Sequence, residues 1–207
     1  MEIVKFFQAG GPFMYPILII LTIGIAISLE RYYFLTATIR KTKKIWGQLT
    51  PMLKASDYQR AHQFTSNISS PLAIVLNYGF ARQRTKAKRE LVESAFEAGI
   101  MEVMPDLEQR THYLSTFANV ATLLGLLGTI IGLIQAFTAV AGAEAASKAD
   151  LLSASISVAM NTTAFGLIVA IPLILSSSYL NSKTARLVES LEMSAVKCLN
   201  LMDEASI

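Results

Sequence analysis

Three consecutive side chains, Asn161, Thr162 and Thr163, stand near the middle of a long apolar run, and Thr129 stands inside an earlier one. Hydroxyls and carboxamides donate and accept hydrogen bonds without carrying charge. No Asp, Glu, Lys or Arg lies inside either run. A chain that moves protons through lipid by itself needs an ionisable group there. At about 100° per residue, Asn161 and Thr163 point roughly 200° apart, so a lone helix would expose one of them to lipid. The plainer reading of a membrane threonine is a bond to its own i−4 carbonyl. Other chemistries lack their residues. His62, His112 and Cys198 form no metal-ligand cluster. The glycines from Gly125 to Gly132 sit in an apolar helix rather than a phosphate-cradling loop. With no nucleophile–base pair in view, we expect a protein that is not an enzyme and needs no cofactor.

The elements that must hold these side chains follow from the distribution of charge. All 33 charged residues of the 207 fall outside three stretches, 6–29, 111–143 and 151–182. Each stretch exceeds the roughly 20 apolar residues that cross a bilayer, so an all-α integral membrane protein with three transmembrane helices is expected. A soluble globular chain, a disordered chain and a collagen-like chain are excluded. Phe13 and Tyr15 at one end of the first span, and Tyr32, Tyr33 and Phe34 at the other, suit the interfacial aromatic belts. The run is longer than a signal-peptide core and no small-residue cleavage site precedes it, so it reads as a retained span. A single cysteine forms no intrachain disulfide.

Counting Lys and Arg sets the orientation. The N-terminal segment has Lys5 and the link between the second and third spans has Lys148, whereas residues 37–112 hold twelve and the tail three. The expected order is a periplasmic N-terminus at 1–15, spans at 16–36, 113–140 and 153–182, a cytoplasmic helical region at 37–112, a periplasmic link at 141–152 and a cytoplasmic tail at 183–207. Within the loop, Asp57 to Thr65 and Arg84 to Met104 read as helices, the latter with Leu91, Ala95, Gly99 and Val103 on one stripe. Arg82, Arg84, Lys86, Lys88 and Arg89 read as a solvated or lipid-facing basic run, not a nucleic-acid site. Pro105 is expected to end one helix or begin the next. From there to Val140 is roughly 50 Å of helix, so the second membrane helix is expected to start inside the cytoplasm. The tail repeats Leu187, Leu191, Ala195 and Leu199 every four residues, the pattern of an amphipathic helix.

Small residues mark the second and third spans. Ala118, Thr122, Gly125, Thr129, Gly132 and Ala136 follow helical spacing, with Gly128 widening the face, and Ser155, Ala159, Thr163, Gly166 and Ala170 repeat the device. Such faces let helix backbones approach closely in lipid. The two spans can pack as an antiparallel hairpin, or each can line an intersubunit surface. Pro172 removes a backbone donor, frees the Ile168 carbonyl and marks a kink that needs a partner.

Two segments carry a family resemblance: ATLLGLLGTIIG from Ala121 to Gly132 and AMNTTAFGLIVAIP from Ala159 to Pro172. They resemble the ExbB/TolQ/MotA proton-channel family, whose pattern is roughly APLLGLLGTVxG followed by ALxTTAxGLxVAIP. The chain looks closest to the ExbB/TolQ type, since the flagellar branch is longer with four spans. The resemblance implies a homopentamer in the bacterial inner membrane whose second and third spans line a central pore. It implies a small single-span ExbD/TolR-like partner bearing an intramembrane Asp, with a TonB/TolA-like protein beyond it. Thr129 and Thr163, with Thr162 and Asn161 beside them, would line the proton pathway. Gly125, Gly128, Gly132, Gly166 and Pro172 would serve helix packing. ExbB and TolQ usually carry Glu where this chain has Val158, and Pro where it has Thr122.

The function expected is therefore an inner-membrane channel and motor subunit that couples the proton motive force to an envelope process, such as TonB-dependent import or Tol-type maintenance. The alternatives are a non-conducting membrane scaffold and a flagellar-type stator subunit.

Overall fold

The structure, a computed structural model, describes residues 10–83, 88–144 and 146–204. Lys5, Arg84, Lys86 and the last three residues of the tail lie outside that range. Six α-helices, and no strand, make up the described residues: α1 (Met14–Lys54), α2 (Tyr58–Ser66), α3 (Pro71–Gln83), α4 (Arg89–Glu108), α5 (Thr111–Ala141) and α6 (Lys148–Glu204). Three helical stretches, Met14–Lys54, Arg89–Ala141 and Lys148–Met202, are long and apolar enough to cross a membrane.

The helices outrun the bilayer. At 57 residues, α6 is about 85 Å long against a hydrocarbon core of about 30 Å. From Leu173 to Ile207 the chain has no Gly or Pro, so nothing stops the third span. The amphipathic tail continues it without a break, with Leu187, Leu191, Ala195 and Leu199 all buried. Between α4 and α5 the break falls at Gln109 and Arg110, and Arg110 has φ 64°. Pro105 neither ends nor begins a helix, contrary to expectation; α4 runs through it to Glu108. The carbonyl it leaves without a donor belongs to Met101, 71% exposed, where a partner from outside the helix can reach it.

The chain divides into two compact units, each built on parts of α1 and α6. One comprises residues up to Glu30 and Arg110–Tyr179; it holds the apolar stretches and the small-residue faces. The other comprises Arg31–Gln109 and Leu180 onward, and holds most of the charge. Its core joins α2, α3 and α4. Asp57 caps α2 by accepting from the Arg60 amide at 3.1 Å. Ser70 caps α3 by accepting from the Ala73 amide at 3.2 Å, with Pro71 in the first helical position. The α3–α4 pair is tight: a Cβ on Gly99 would lie 2.9 Å from the Val75 Cα, and one on Gly79 would strike the Phe96 ring. Of the expected α4 stripe, Ala95, Gly99 and Val103 are buried, but Leu91 is exposed, and Val92 and Phe96 face inward.

In the same unit Arg31 is only 2% exposed. Its guanidinium donates to the carbonyls of Asp106, at 3.3 Å, and Leu107, and packs 4.8 Å from the Phe34 ring centroid. Those carbonyls close the last turn of α4, where a cation offsets the negative end of the helix dipole. Nearby, Lys183 of α6 donates to the Thr36 hydroxyl at 2.6 Å and lies 4.1 Å over the Tyr32 ring.

Candidate functional site

The apolar unit is built around a seam between α5 and α6. An added Cβ on Gly125 would lie 3.2 Å from the Thr163 Cα; on Gly128, 2.5 Å from the Thr162 Cγ2; on Gly132, 2.8 Å from the Ala159 Cβ; on Gly166, 2.7 Å from the Ala121 carbonyl oxygen. Partners run down one helix as they run up the other. The spans therefore pack as an antiparallel hairpin, and the small faces are spent largely inside one chain. Gly24 of α1 joins the bundle, its own Cβ position blocked at 2.5 Å by Leu173.

The buried stripe of α5 differs from the expected one by a single step at two places. Ala118, Gly125, Gly128, Gly132 and Ala136 are buried as expected, but Ala121 takes the place of Thr122, and Thr129 stands outside the buried stripe beside Gly128. Both choices satisfy a spacing of threes and fours. The backbone contact favours the smaller residue of each adjacent pair, which pushes the threonines to the border. Pro172, the expected kink, is exposed and lies within α6, which continues through it.

The hydroxyls are handled in three different ways. Thr162, 2% exposed, donates to the Gly10 carbonyl and to the Val158 carbonyl at 3.0 Å. It is thus an interior residue of the unit rather than a lining one. Thr163, half-buried, donates across the seam to the Gly125 carbonyl at 2.8 Å. Thr129, also half-buried, donates to the Leu126 carbonyl at 2.6 Å in its own helix. Since Thr129 is one turn along from Gly125, Thr129 and Thr163 border the same seam. Each has committed its proton to a carbonyl and presents lone pairs to whatever lies outside. Asn161 is half-buried, while Val158 is exposed beside Gly11.

Charges of this unit stay at its margins. Glu30 accepts from Arg110 at 2.9 Å, both about half exposed, and Glu144, Lys148 and Asp150 cluster around the turn from α5 to α6. Among the described residues no group of His, Cys, Asp and Glu could hold a metal ion. Arg31 is a structural residue that no local pattern singles out; its partners are 75 and 76 residues away.

A family model described as the MotA/TolQ/ExbB proton channel family matches residues 67–193, more than half the chain. The chain belongs to that family. Relatives place it nearer the ExbB and TolQ branches. A protein from Synechocystis called putative biopolymer transport protein ExbB-like 3 is 27% identical over 177 residues, 84% of this chain and 83% of its own. An ExbB homologue from Methanothermobacter thermautotrophicus is 28% identical over 92% of this chain and 67% of its own. The Tol-Pal system protein TolQ of Haemophilus influenzae is 37% identical over a shorter stretch, 36% of this chain and 32% of its own. Membership of this family with three membrane-capable helices makes the chain a multi-pass inner-membrane protein of the proton-channel type.

Proposed function

We propose that the chain is one subunit of a homopentameric complex that couples the proton motive force to an envelope process, of the TonB-dependent import or Tol-type maintenance kind. A single-span ExbD/TolR-like partner supplies the intramembrane Asp, and a TonB/TolA-like protein receives the output. The N-terminus faces the periplasm and the C-terminus the cytoplasm, in line with the placement of Lys and Arg. One observation carries the reading: the interiors of the described spans have hydroxyls at the border of a close-packed seam and no ionisable group. The titratable group must then come in trans.

The geometry supports a specific division of labour. Thr129 and Thr163 present lone pairs, so in their resting rotamers they accept from a protonated carboxyl. Turning the hydroxyl away from its carbonyl lets the same atom donate to the carboxylate. The pair can hold the partner's Asp in either state; Asn161, about 200° round α6 from Thr163, faces away from that border, while Thr162 keeps the bundle closed.

The test is proton uptake into vesicles by the chain reconstituted with such a partner. Thr163→Val is expected to cut uptake at least tenfold, and Thr163→Ser, which keeps the hydroxyl, to retain most of it. Unchanged uptake in Thr163→Val removes this residue from the path. No uptake by the parent complex, and no response of the envelope process to collapse of the gradient, would return the chain to the scaffold reading.

A further inference from the structure

The charged unit carries two exposed surfaces of opposite character on different helices. Between α4 and α6 runs a groove of about 560 Å³ with Phe96, Ile100 and Leu199 in its floor and Glu93, Glu97 and Glu192 on its rim. No Lys or Arg lines it, and the exposed Met101 beside it offers an adaptable apolar contact. On α1, Arg40, Lys41, Lys43 and Lys44 are all exposed, with Tyr33, 78% exposed, about two turns before Arg40 on the same side. Among the described residues none of these four cations, and none of the three rim carboxylates, makes an ion pair. Charge of each sign is left without its counterpart inside one chain.

The two surfaces also stand at one level. Arg31 of α1 is bonded to the Asp106 carbonyl of α4, and Lys183 of α6 reaches Tyr32 and Thr36 of α1. These contacts fix a common level for the three helices. Arg40 lies nine residues from Arg31, Glu97 nine from Asp106, and Glu192 nine from Lys183, each about 14 Å from that level. A ring whose axis follows the helices leaves heights unchanged. A surface on one copy therefore meets a neighbour's surface only if the two stand at equal height, as these do. In a closed ring the contact is heterologous, one patch against a different patch, and complementary charge sets its register.

We propose that the acid-rimmed groove between α4 and α6 seats the basic face of α1 from an adjacent copy of the same chain. The mode is a helix laid in an apolar groove, with the cations of one copy paired to the carboxylates of the next. It rests on the ring assembly proposed above and names the surfaces that hold the charged units together.

The test uses full-length chains in membranes, one copy carrying Arg40→Cys and the other Glu97→Cys, the pair that stands at equal height, with different tags. Cys198 is buried and gives little background. Mild oxidation is expected to join the two tags, at least tenfold above either single variant paired with the parent. In a second arm, Arg40→Glu lowers a Tyr33-to-Met101 cysteine cross-link and added Glu97→Lys restores it. Native mass measured on the same samples separates the failures. A ring of normal mass without either cross-link overturns this interface and leaves the assembly standing. A monomer overturns both. Joining of Glu97→Cys to some other protein, or protection of the α1 cations by anionic lipid alone, gives these surfaces to different occupants and refutes the pairing.

Discussion

Replacing Gly166 by Ala puts a methyl carbon 2.7 Å from the Ala121 carbonyl oxygen and 3.2 Å from the Gly125 Cα. Carbon–oxygen contacts of this kind settle at about 3.3–3.6 Å. The helices must therefore part by roughly 0.6–0.9 Å, and backbone on both sides leaves no flexible side chain to yield. The Thr163 bond to the Gly125 carbonyl, 2.8 Å in the parent, stretches with them to a length at which little of it remains. Overpacking costs about 1–3 kcal/mol and a hydrogen bond between membrane helices about 0.6 kcal/mol. The helix propensity of Ala over Gly returns at most about 1 kcal/mol. The net is a destabilisation of about 1–3 kcal/mol. For a chain of this size that lowers the midpoint of thermal unfolding in detergent by about 2–12 °C, read from helical circular dichroism. The control is Gly47→Ala in α1, where an added Cβ meets nothing within 4 Å; there propensity acts alone and the midpoint rises by a few degrees. Should Gly166→Ala prove as stable as the parent while Gly47→Ala behaves as stated, the seam is not close-packed, and the hairpin arrangement of α5 and α6 fails with it.

Two further outcomes follow from the charged unit. Arg31→Leu removes the donors that close α4 at Asp106 and Leu107 and is expected to cost about 2–4 kcal/mol, with Arg31→Lys intermediate because it keeps charge but loses the planar fork; an unchanged unfolding midpoint in Arg31→Leu would show that water closes that helix end equally well. Burial pushes the Cys198 thiol up to about 12 from 9.0, so at pH 8 its thiolate, the reactive form, is about a thousandfold scarcer than in the unfolded chain. Maleimide labelling should be slow until denaturant is added. Because the unfolded thiol ionises first, this group leaves stability unchanged below pH 9 and lowers it as pH rises from 9 towards 12; fast labelling of the folded protein at pH 8 counts against that burial.

The spans were the most legible part of the chain, because lipid tolerates so few charges that three uncharged stretches could mean little else. The face each span buries was less so. Spacings of three and four fit Thr122 and Thr129 as well as Ala121 and Gly128, and only the backbone of the opposing helix decides between them. Thr162 and Thr163 are neighbours of the same type in sequence, yet one is closed inside the bundle and the other borders it. Helix α3 was missed although its start was written in Ser70 and Pro71, a cap followed by proline in the first turn. Arg31 was out of reach by any local reading: an arginine at the end of an apolar run ordinarily extends to water, and its burial depends on carbonyls far along the chain.

Magnitudes also decide where movement can occur in the proposed motor. One proton crossing 100 mV supplies about 2.3 kcal/mol. Opening the α5–α6 seam forfeits the Thr163 bond together with the contacts at Gly125, Gly128, Gly132 and Gly166, and the small shift forced by a single methyl already costs about as much as that proton supplies. Full separation lies beyond what one step can drive, so in the proposed motor the hairpin is expected to move as a rigid body. The contact that slips must then use the outer faces, where Leu126, Ile130 and Phe137 of α5 and Met160, Leu167 and Ile171 of α6 remain exposed. Those side chains are apolar and similar in size, and one arrangement of them against a partner helix differs little in energy from the next. A step of about 2 kcal/mol is enough to choose between such neighbours, and too little to break the hairpin that carries them.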